Sequence, residues 1–537
     1  MSNARFTPES DRQTTYRFLS DEGVGVDSFA GRDLLTIHPE ALERLAYEAF
    51  ADVSFRLRPA HLEQNARMLA DPEADENERF VARAFLENAV LSALGELPIC
   101  QDTGTAVVLG ERGSRVWTDF DESAALSSGI ARAYAELNLR LSQIAPLSMF
   151  EERNTGTNLP AQIDLRAVPG GEYRFLFLAK GGGSANKSLL FQKTKSILNE
   201  TDLTDFLRAA LRDLGTAACP PYHLAVVIGG ASAEETMKHV KLASAGALDA
   251  LPDAGDETGR PFRDRAWEKK ILRLARETGY GAQFGGRHFC HDVRVVRLAR
   301  HAASCPIGLG VSCYADRNVR AKITPEGLFL ERLEEDPARF LSGTDSPPDA
   351  APEIDLDRPM PEILARLREI PLGRRVRLSG TLVVARDAAH ARLLDRLRAG
   401  RPLPDYLRDH PVYYAGPAKT PAGRPCGSFG PTTAQRMDPY AERFMAAGAS
   451  LVTLAKGNRS PSFAAACRKY GGYYLGTIGG PAALIADRHV ESVEPLDFPD
   501  LGMEALRRIR VRNLPAFLLI DADGNDFYAQ RAEGAPG

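Results

Sequence analysis

Between Glu334 and Pro361 the chain reads EEDPARFLSGTDSPPDAAPEIDLDRPMP, with six prolines, many acidic residues and little apolar periodicity. Each proline removes a backbone donor and fixes φ, so a run this dense in them has the composition of a linker. The break splits a 537-residue chain that already exceeds what one hydrophobic core sustains. It predicts an N-terminal domain over 1–335, a linker over 336–360 and a C-terminal domain over 361–537.

Both halves mix the two periodicities. PEALERLAYEAFADVSFRL, HLEQNARML and NERFVARAFLENAVLSAL place apolar residues three and four apart and predict helices. TAVVLGER, YRFLFLAK and HLAVVIGG read as strands, and the last two run into glycines, where backbone can approach a ligand closely. Past the linker, RVRLSGTLVVARD and SLVTLAKGNRS read as strands, AAHARLLDRL and PSFAAACRKYG as helices. AFLLIDADGNDFYAQ predicts a closing hairpin that turns at Asp523 and Gly524. The fold class expected is mixed α/β (α+β) in two domains, with an active site at their interface.

A formal charge of −4 gives no reason to expect a nucleic acid or a membrane surface as partner. No apolar run approaches the roughly 18 residues of a spanning helix, and the first residues lack a secretory apolar core. The expectation is a cytoplasmic protein with a small-molecule partner.

Seven cysteines in so long a chain do not form a disulfide framework. Three stand in unusual company: Cys100 in LPICQDTGTAVV, Cys219 in GTAACPPYHLAVVIGG and Cys313 in CPIGLGVSCYADRN. All three fall on loops beside strands, and none is half of a CxxC pair, which weakens a zinc reading. Three readings stay open: convergent ligands of an iron–sulfur cube with one open iron, three buried thiols, or a nucleophilic Cys100 beside Asp102 with a base such as His301.

FLFLAKGGGSANKS, residues 175–188, is one residue short of a nucleotide-binding loop, because Asn186 stands where a second glycine belongs. A strand entering Gly181–Gly183 and then a helix near Ser184 suits an anion, and Lys180 and Lys187 add charge. A carboxylate asks for fewer donors than a triphosphate. Arg386, Arg436 and Lys456 each follow a strand or a glycine- and threonine-rich loop, as carboxylate ligands would. A surface ion pair is the ordinary alternative for each.

Together these stretches resemble the class I, iron–sulfur-dependent, fumarate hydratases from about residue 40 to about residue 530. The resemblance is carried by LPICQDTGTA, APLSMFEERNTGTNLPAQIDL, AKGGGSANKS, GTAACPPYHLAVVIGG, CPIGLGVSCYADRN, YYAGPAKTPAGRPCGSFGPTTAQRMD, LAKGNRS and YLGTIGGPAALIA. It implies a [4Fe–4S] cluster on Cys100, Cys219 and Cys313, with Cys305 a non-ligand, in an N-terminal cluster-binding domain. It implies dicarboxylate binding by Gln101, Asp102, Arg140, Gly183, Asn186, Lys187, Gln192, Arg386, Thr432, Arg436 and Lys456. Leu141 departs from the family pattern, in which an aromatic residue is frequent there. The resemblance further implies Thr432 and Asp102 as proton-transfer groups, His301 as partner of Asp102, a homodimer, and reversible hydration of fumarate to (S)-malate in the tricarboxylic acid cycle. Tartrate or mesaconate dehydration is the competing substrate reading, and an iron–sulfur electron carrier the competing class.

Overall fold

The computed structural model describes residues 14–343 and 350–533. It is a mixed α/β structure with three principal sheets. The first holds six strands in the spatial order Tyr16–Ser20, Gly327–Glu331, Asn318–Thr324, Tyr173–Lys180, Thr105–Gly113 and Gln162–Val168. Helices Pro39–Phe55 and Glu122–Glu136 cover one face of it through Leu42, Leu45, Phe50 and Leu126, packed on Phe175 and Phe177. Its other face meets helix Ala233–Ser244 and the second sheet through Val107, Leu109, Leu176, Val227 and Val240.

The second sheet orders Leu189–Lys193, Cys305–Ser312, Tyr222–Gly230, Cys290–Arg300 and Phe262–Arg263. Every residue of Tyr222–Gly230 is buried, as an apolar run flanked on both faces requires.

The third sheet carries most of the C-terminal half. Strands Arg375–Val384, Val412–Tyr413, Val452–Ala455 and Tyr473–Gly476 run parallel to one another. Leu506–Ile520 then pairs antiparallel with both Tyr473–Gly476 and Arg375–Val384. In a parallel array ligands gather beyond the carboxyl ends of the strands, and the segments at those ends are 385–386, 414–416, 456 and 477–479.

Within the segment 336–360, Pro337–Leu341 forms a short 3₁₀ turn against helices Pro59–Ala70 and Glu76–Ser92. Glu353–Asp355 pairs with Arg377–Ser379 as an edge strand of the third sheet. The two halves also share one apolar core, in which Phe85, Leu224 and Tyr314 join Tyr414, Phe463 and Phe517.

The expected closing hairpin turns at Asp523 and Gly524 but is cut to a single antiparallel bridge, Ile520 with Asp526. After Ile520 the chain turns through Asp521, whose carboxylate accepts from Asp523 N and Asn525 N, and enters helix Phe527–Glu533. Asp526 accepts from Tyr528 N, so the residues expected as a second strand have a helix cap, and Tyr528 donates its hydroxyl to Gln283 O at 2.6 Å. Among the described residues no helix is long and apolar enough to cross a membrane.

Helix Glu76–Ser92 sets the position of the loop that bears Cys100. Asn88 donates to Ile99 O at 3.1 Å and accepts from Leu484 N at 3.0 Å, tying that loop to both halves. A capping box starts this helix: Asp75 accepts from Glu78 N at 2.8 Å and Glu78 accepts from Asp75 N. Asp75→Ala should weaken the first turn by about 1 kcal/mol. Amide exchange of residues 79–81 should then quicken about five-fold, and an unchanged rate would show the turn is held by packing alone.

Candidate active site

Cys100 sits in an irregular stretch that its neighbours pin. Tyr134 donates its hydroxyl to Gly104 O at 2.8 Å, and Asn158 donates to the same carbonyl at 3.0 Å. Gly104 has φ +86°, and a Cβ there would strike the Lys180 backbone at 2.8 Å, so the stretch lies flush against the six-stranded sheet. Cys219 adopts φ +64°, which turns its side chain out of the preceding loop. Its carbonyl accepts from Tyr314 N at 3.2 Å, which places the chain at Cys313 beside it.

The three thiols are close enough to perturb one another: Cys100 and Cys313 each face at least one of the other two, and burial holds all three above the usual thiol range. Lys456, at the end of Val452–Ala455, donates to Cys219 Sγ at 3.0 Å. Burial alone would lower the Lys456 ammonium, but Cys219 and Cys100 hold it above the ordinary lysine range.

A cavity of about 240 Å³ lies beside this triad, lined by both halves of the chain; Gln101, next to Cys100, and Lys456, which donates to Cys219, are on its wall. Arg140, Lys180, Arg386, Arg436 and Lys456 face it, against one carboxylate, Asp102. Burial would raise the Asp102 carboxyl, but Arg140, Arg317 and the Gly182 amide, which donates at 2.7 Å, keep it below its usual range. Asp102 is therefore ionised.

The C-terminal half places Arg386, Arg436 and Lys456 around the third sheet, while Lys180 ends a strand of the first. Arg386 caps helix Asp387–Arg398 just beyond strand Arg375–Val384. It is buried, is ion-paired with Glu504, and donates to Met503 O at 3.2 Å, while its Nε has no partner. Burial and the facing Arg140 lower its guanidinium to about 10. Arg436 is held by Asp387 and donates to Thr432 Oγ1 at 3.1 Å. Thr432 in turn is fixed by its own amide on Tyr414 O at 2.8 Å. Gln101 bridges the halves by donating to Pro431 O at 2.9 Å.

Of the substrate-binding and proton-transfer residues expected from the sequence, Gln101, Asp102, Arg140, Gly183, Asn186, Arg386, Thr432, Arg436 and Lys456 line this cavity. Three do not. Lys187 turns away and donates to Asp213 O at 2.9 Å. Gln192 pairs with Pro306 near the far end of Leu189–Lys193. His301 follows strand Cys290–Arg300 on an exposed turn. Arg300 lies opposite Gly230, whereas Cys219 precedes Tyr222 and Cys313 follows Ser312, which lies opposite His223. Eight strand steps, roughly 26 Å, separate the two ends. Within one chain His301 is thus remote from Asp102, and Cys305 lies at the same remote end.

The glycine loop also differs from expectation. Its first free amide, on Gly182, holds Asp102 rather than an external anion. Two further site groups are not apparent from the sequence. Arg317, within the CYADRN stretch, is buried with an unpartnered Nε and lies beside Asp102 and Gly181. Gly479 leaves room where a Cβ would come within 2.3 Å of Cys219 Sγ.

This arrangement fits an iron–sulfur cluster. The three cysteines are free thiols on separate loops, bare of a Cβ at Gly479, with Lys456 and Arg317 placed to offset thiolate charge. Metal loading displaces thiol protons that burial otherwise retains.

Comparison with known proteins gives consistent matches. A family model described as Fumarate hydratase (Fumerase) matches residues 43–322, and one described as Fumarase C-terminus matches 327–531. The chain is 54% identical over 525 residues to the aerobic class I fumarate hydratase of Escherichia coli K12, covering 97% of this chain and 96% of that one. It is 53% identical to the anaerobic class I enzyme of the same strain, covering 99% and 98%. Fumarate hydratase 2 of Leishmania major is 53% identical, covering 98% and 94%.

Proposed function

Because this chain belongs to the class I fumarate hydratase family, we propose that its cavity interconverts fumarate and (S)-malate on a [4Fe–4S] cluster held by Cys100, Cys219 and Cys313. The observation that carries the reading is a small cavity where five cations meet one ionised carboxylate beside three free thiols, two of them buried. With Arg386 paired to Glu504 and Arg436 to Asp387, the lining keeps an excess of two positive charges, which a small dianion offsets.

When bound, a three-thiolate cluster supplies an open iron, a Lewis acid that polarises an oxygen ligand. The protein's own groups do the rest. Arg140, Arg386 and Arg436 present guanidiniums that match carboxylates in two-pronged fashion and fix the substrate for reaction. The unpartnered Nε of buried Arg386 is a donor still to be used.

Hydration needs a proton taken from water and another delivered to C3. Asp102, already ionised, is the acceptor for the first. Thr432 is the donor for the second. Arg436 already donates to Thr432 Oγ1, so the oxygen left after proton transfer meets a cation at hydrogen-bond distance. In the dehydration direction both transfers reverse. A homodimer belongs to this reading; the exposed apolar tip at Leu147, Met149 and Phe150, the last 96% exposed, supports a covered surface there.

The test is an ultraviolet assay of anaerobically reconstituted protein. Fumarate absorbance should fall until malate and fumarate equilibrate. Mesaconate, one methyl larger, should be poorer by about 10–200-fold, the usual discrimination against such a group. Faster turnover of mesaconate or tartrate would overturn the substrate assignment. Iron-loaded protein that turns over none of the three would overturn the reaction.

A further inference from the structure

A second cavity, of about 700 Å³, shares no lining residue with the first. On its wall His61, His223 and Asp316 are all buried, and their ligating atoms lie within 4.8 Å of one another. Three separate elements bring them together. His61 is in the first turn of helix Pro59–Ala70, His223 lies on strand Tyr222–Gly230, and Asp316 comes just after strand Cys305–Ser312.

The hydrogen bonds around them are those of a histidine ligand set. His223 stands in register with Asp292 on the parallel neighbour, and its Nδ1 is 2.9 Å from the Asp292 carboxylate. Asp292 also accepts from Gln64 at 3.0 Å and from Arg294 at 2.5 Å, so it is fixed. With Nδ1 donating, the His223 Nε2 lone pair is directed toward His61 Nδ1, 2.9 Å away. One shared proton lies between these two nitrogens. His61 Nε2 is 3.3 Å from Asn65 Nδ2, while Asn65 Oδ1 is buried without a partner. Asn65 Nδ2 also donates to His61 O at 3.0 Å, which fixes the amide beside the ring. A metal ion bound by the two facing nitrogens beside the Asp316 carboxylate would take the place of the proton they share.

His291 supplies a further observation. Its Nε2 is buried and unpartnered, and its ring lies 5.4 Å from that of His61 and 5.6 Å from that of His223. Burial keeps His291 and His61 unprotonated, the latter lowered to about 4, while Asp292 pulls His223 the other way. Neutral imidazole is the ligating form. The neighbouring guanidiniums carry their own counter-charges: Arg58 pairs with Glu331, and Arg294 with Asp249 and Asp292.

We propose that His61, His223 and Asp316 form a binding site for one divalent transition-metal ion of the zinc and cobalt class, with Asp292 orienting His223 and His291 as the nearest additional imidazole. Imidazole plus carboxylate is the donor set such ions take, and a carboxylate on the outer ring nitrogen is their usual support. Asp316 lies three residues after Cys313 and His223 four after Cys219. An ion here would therefore join, from behind, the two segments that carry those thiols.

The experiment uses the full chain with its cluster loaded, dialysed against chelator and then given Co²⁺ alone. One equivalent should remain after desalting, and X-ray absorption at the cobalt edge should show imidazole and oxygen neighbours without sulfur. Asp292→Asn should lower affinity about 10–100-fold, the usual loss for an orienting partner. His61→Gln should abolish the retained equivalent. No retained cobalt, a sulfur shell, or unaltered binding in His61→Gln would overturn the site. If His61→Gln does not fold, the absorption spectrum of the unmutated protein decides on its own.

Discussion

Thr432→Ala lowers turnover by about 10²–10⁴-fold, the range that positioned proton transfer contributes, while iron content and KM stay near the parent values. The expectation rests on placement. Thr432 Oγ1 faces the cavity and accepts from Arg436 at 3.1 Å, and its backbone is fixed at both ends by Tyr414 O and Lys456 N. Removing the hydroxyl deletes a proton carrier without moving the loop. Arg436 keeps its pair with Asp387, so one carboxylate contact survives and substrate still binds. Thr432→Ser restores the hydroxyl and should recover much of the rate. Exchange of the malate C3 proton in heavy water separates this role from a binding role. It should fall with turnover in Thr432→Ala, and exchange at the parental rate would take Thr432 out of the proton step.

What is legible in the sequence and what is hidden divide along a physical line. Strands that alternate with helices are legible because periodicity is local, and so are the loops that bear Cys100, Cys219 and Cys313. Arg386 and Lys456 can be read as site groups because the ends of parallel strands share one edge of a sheet; Thr432 reaches that edge from the loop after Phe429–Pro431, through its amide on Tyr414 O. His301 precedes strand Cys305–Ser312 and Cys313 follows it, so within one chain the length of that strand separates them, a distance the local sequence does not report. Lys187 and Gln192 come after the glycine loop in sequence, yet the chain enters a strand at Leu189 that carries Gln192 away. The closing hairpin is cut to one bridge because Asp523-Gly524 marks a turn without fixing the element beyond it; the cap at Asp526 decides for helix.

Arg317 and Gly479 show the opposite limit. Both lie inside distinctive stretches, CYADRN and YLGTIGGPAALIA. Arg317 is a site group only because residues 315–318 fold back beside Asp102. Gly479 is one only because a loop from the other half of the chain lays Cys219 against it. No spacing rule reports an approach between segments so distant along the chain.

Gly479→Ala should leave a folded protein that fails to hold its cluster. A methyl at this position would stand 2.3 Å from Cys219 Sγ and 2.8 Å from Lys456 Cδ, well inside contact distance. The backbone cannot retreat, because Gln283 grips Gly479 by both its amide, at 2.8 Å, and its carbonyl, at 2.9 Å. Gln283 is itself bound to Pro220 O and receives the Tyr528 hydroxyl. The soft coordinates are therefore the two side chains. Cys219 must rotate its thiol off the triad, and Lys456 must leave the 3.0 Å contact that steadies it. Overpacking of this kind destabilises by about 1–3 kcal/mol, which a domain tolerates; displacing one of three ligands is the larger loss. Iron affinity after anaerobic reconstitution should fall at least about 10–100-fold, the scale on which disturbed metal supports act. Visible absorbance and iron per chain should drop together while the melting transition persists. A variant with full iron and parental turnover would show that Cys219 does not need the space this glycine leaves, and with it would go the claim that these three sulfurs are the ligands.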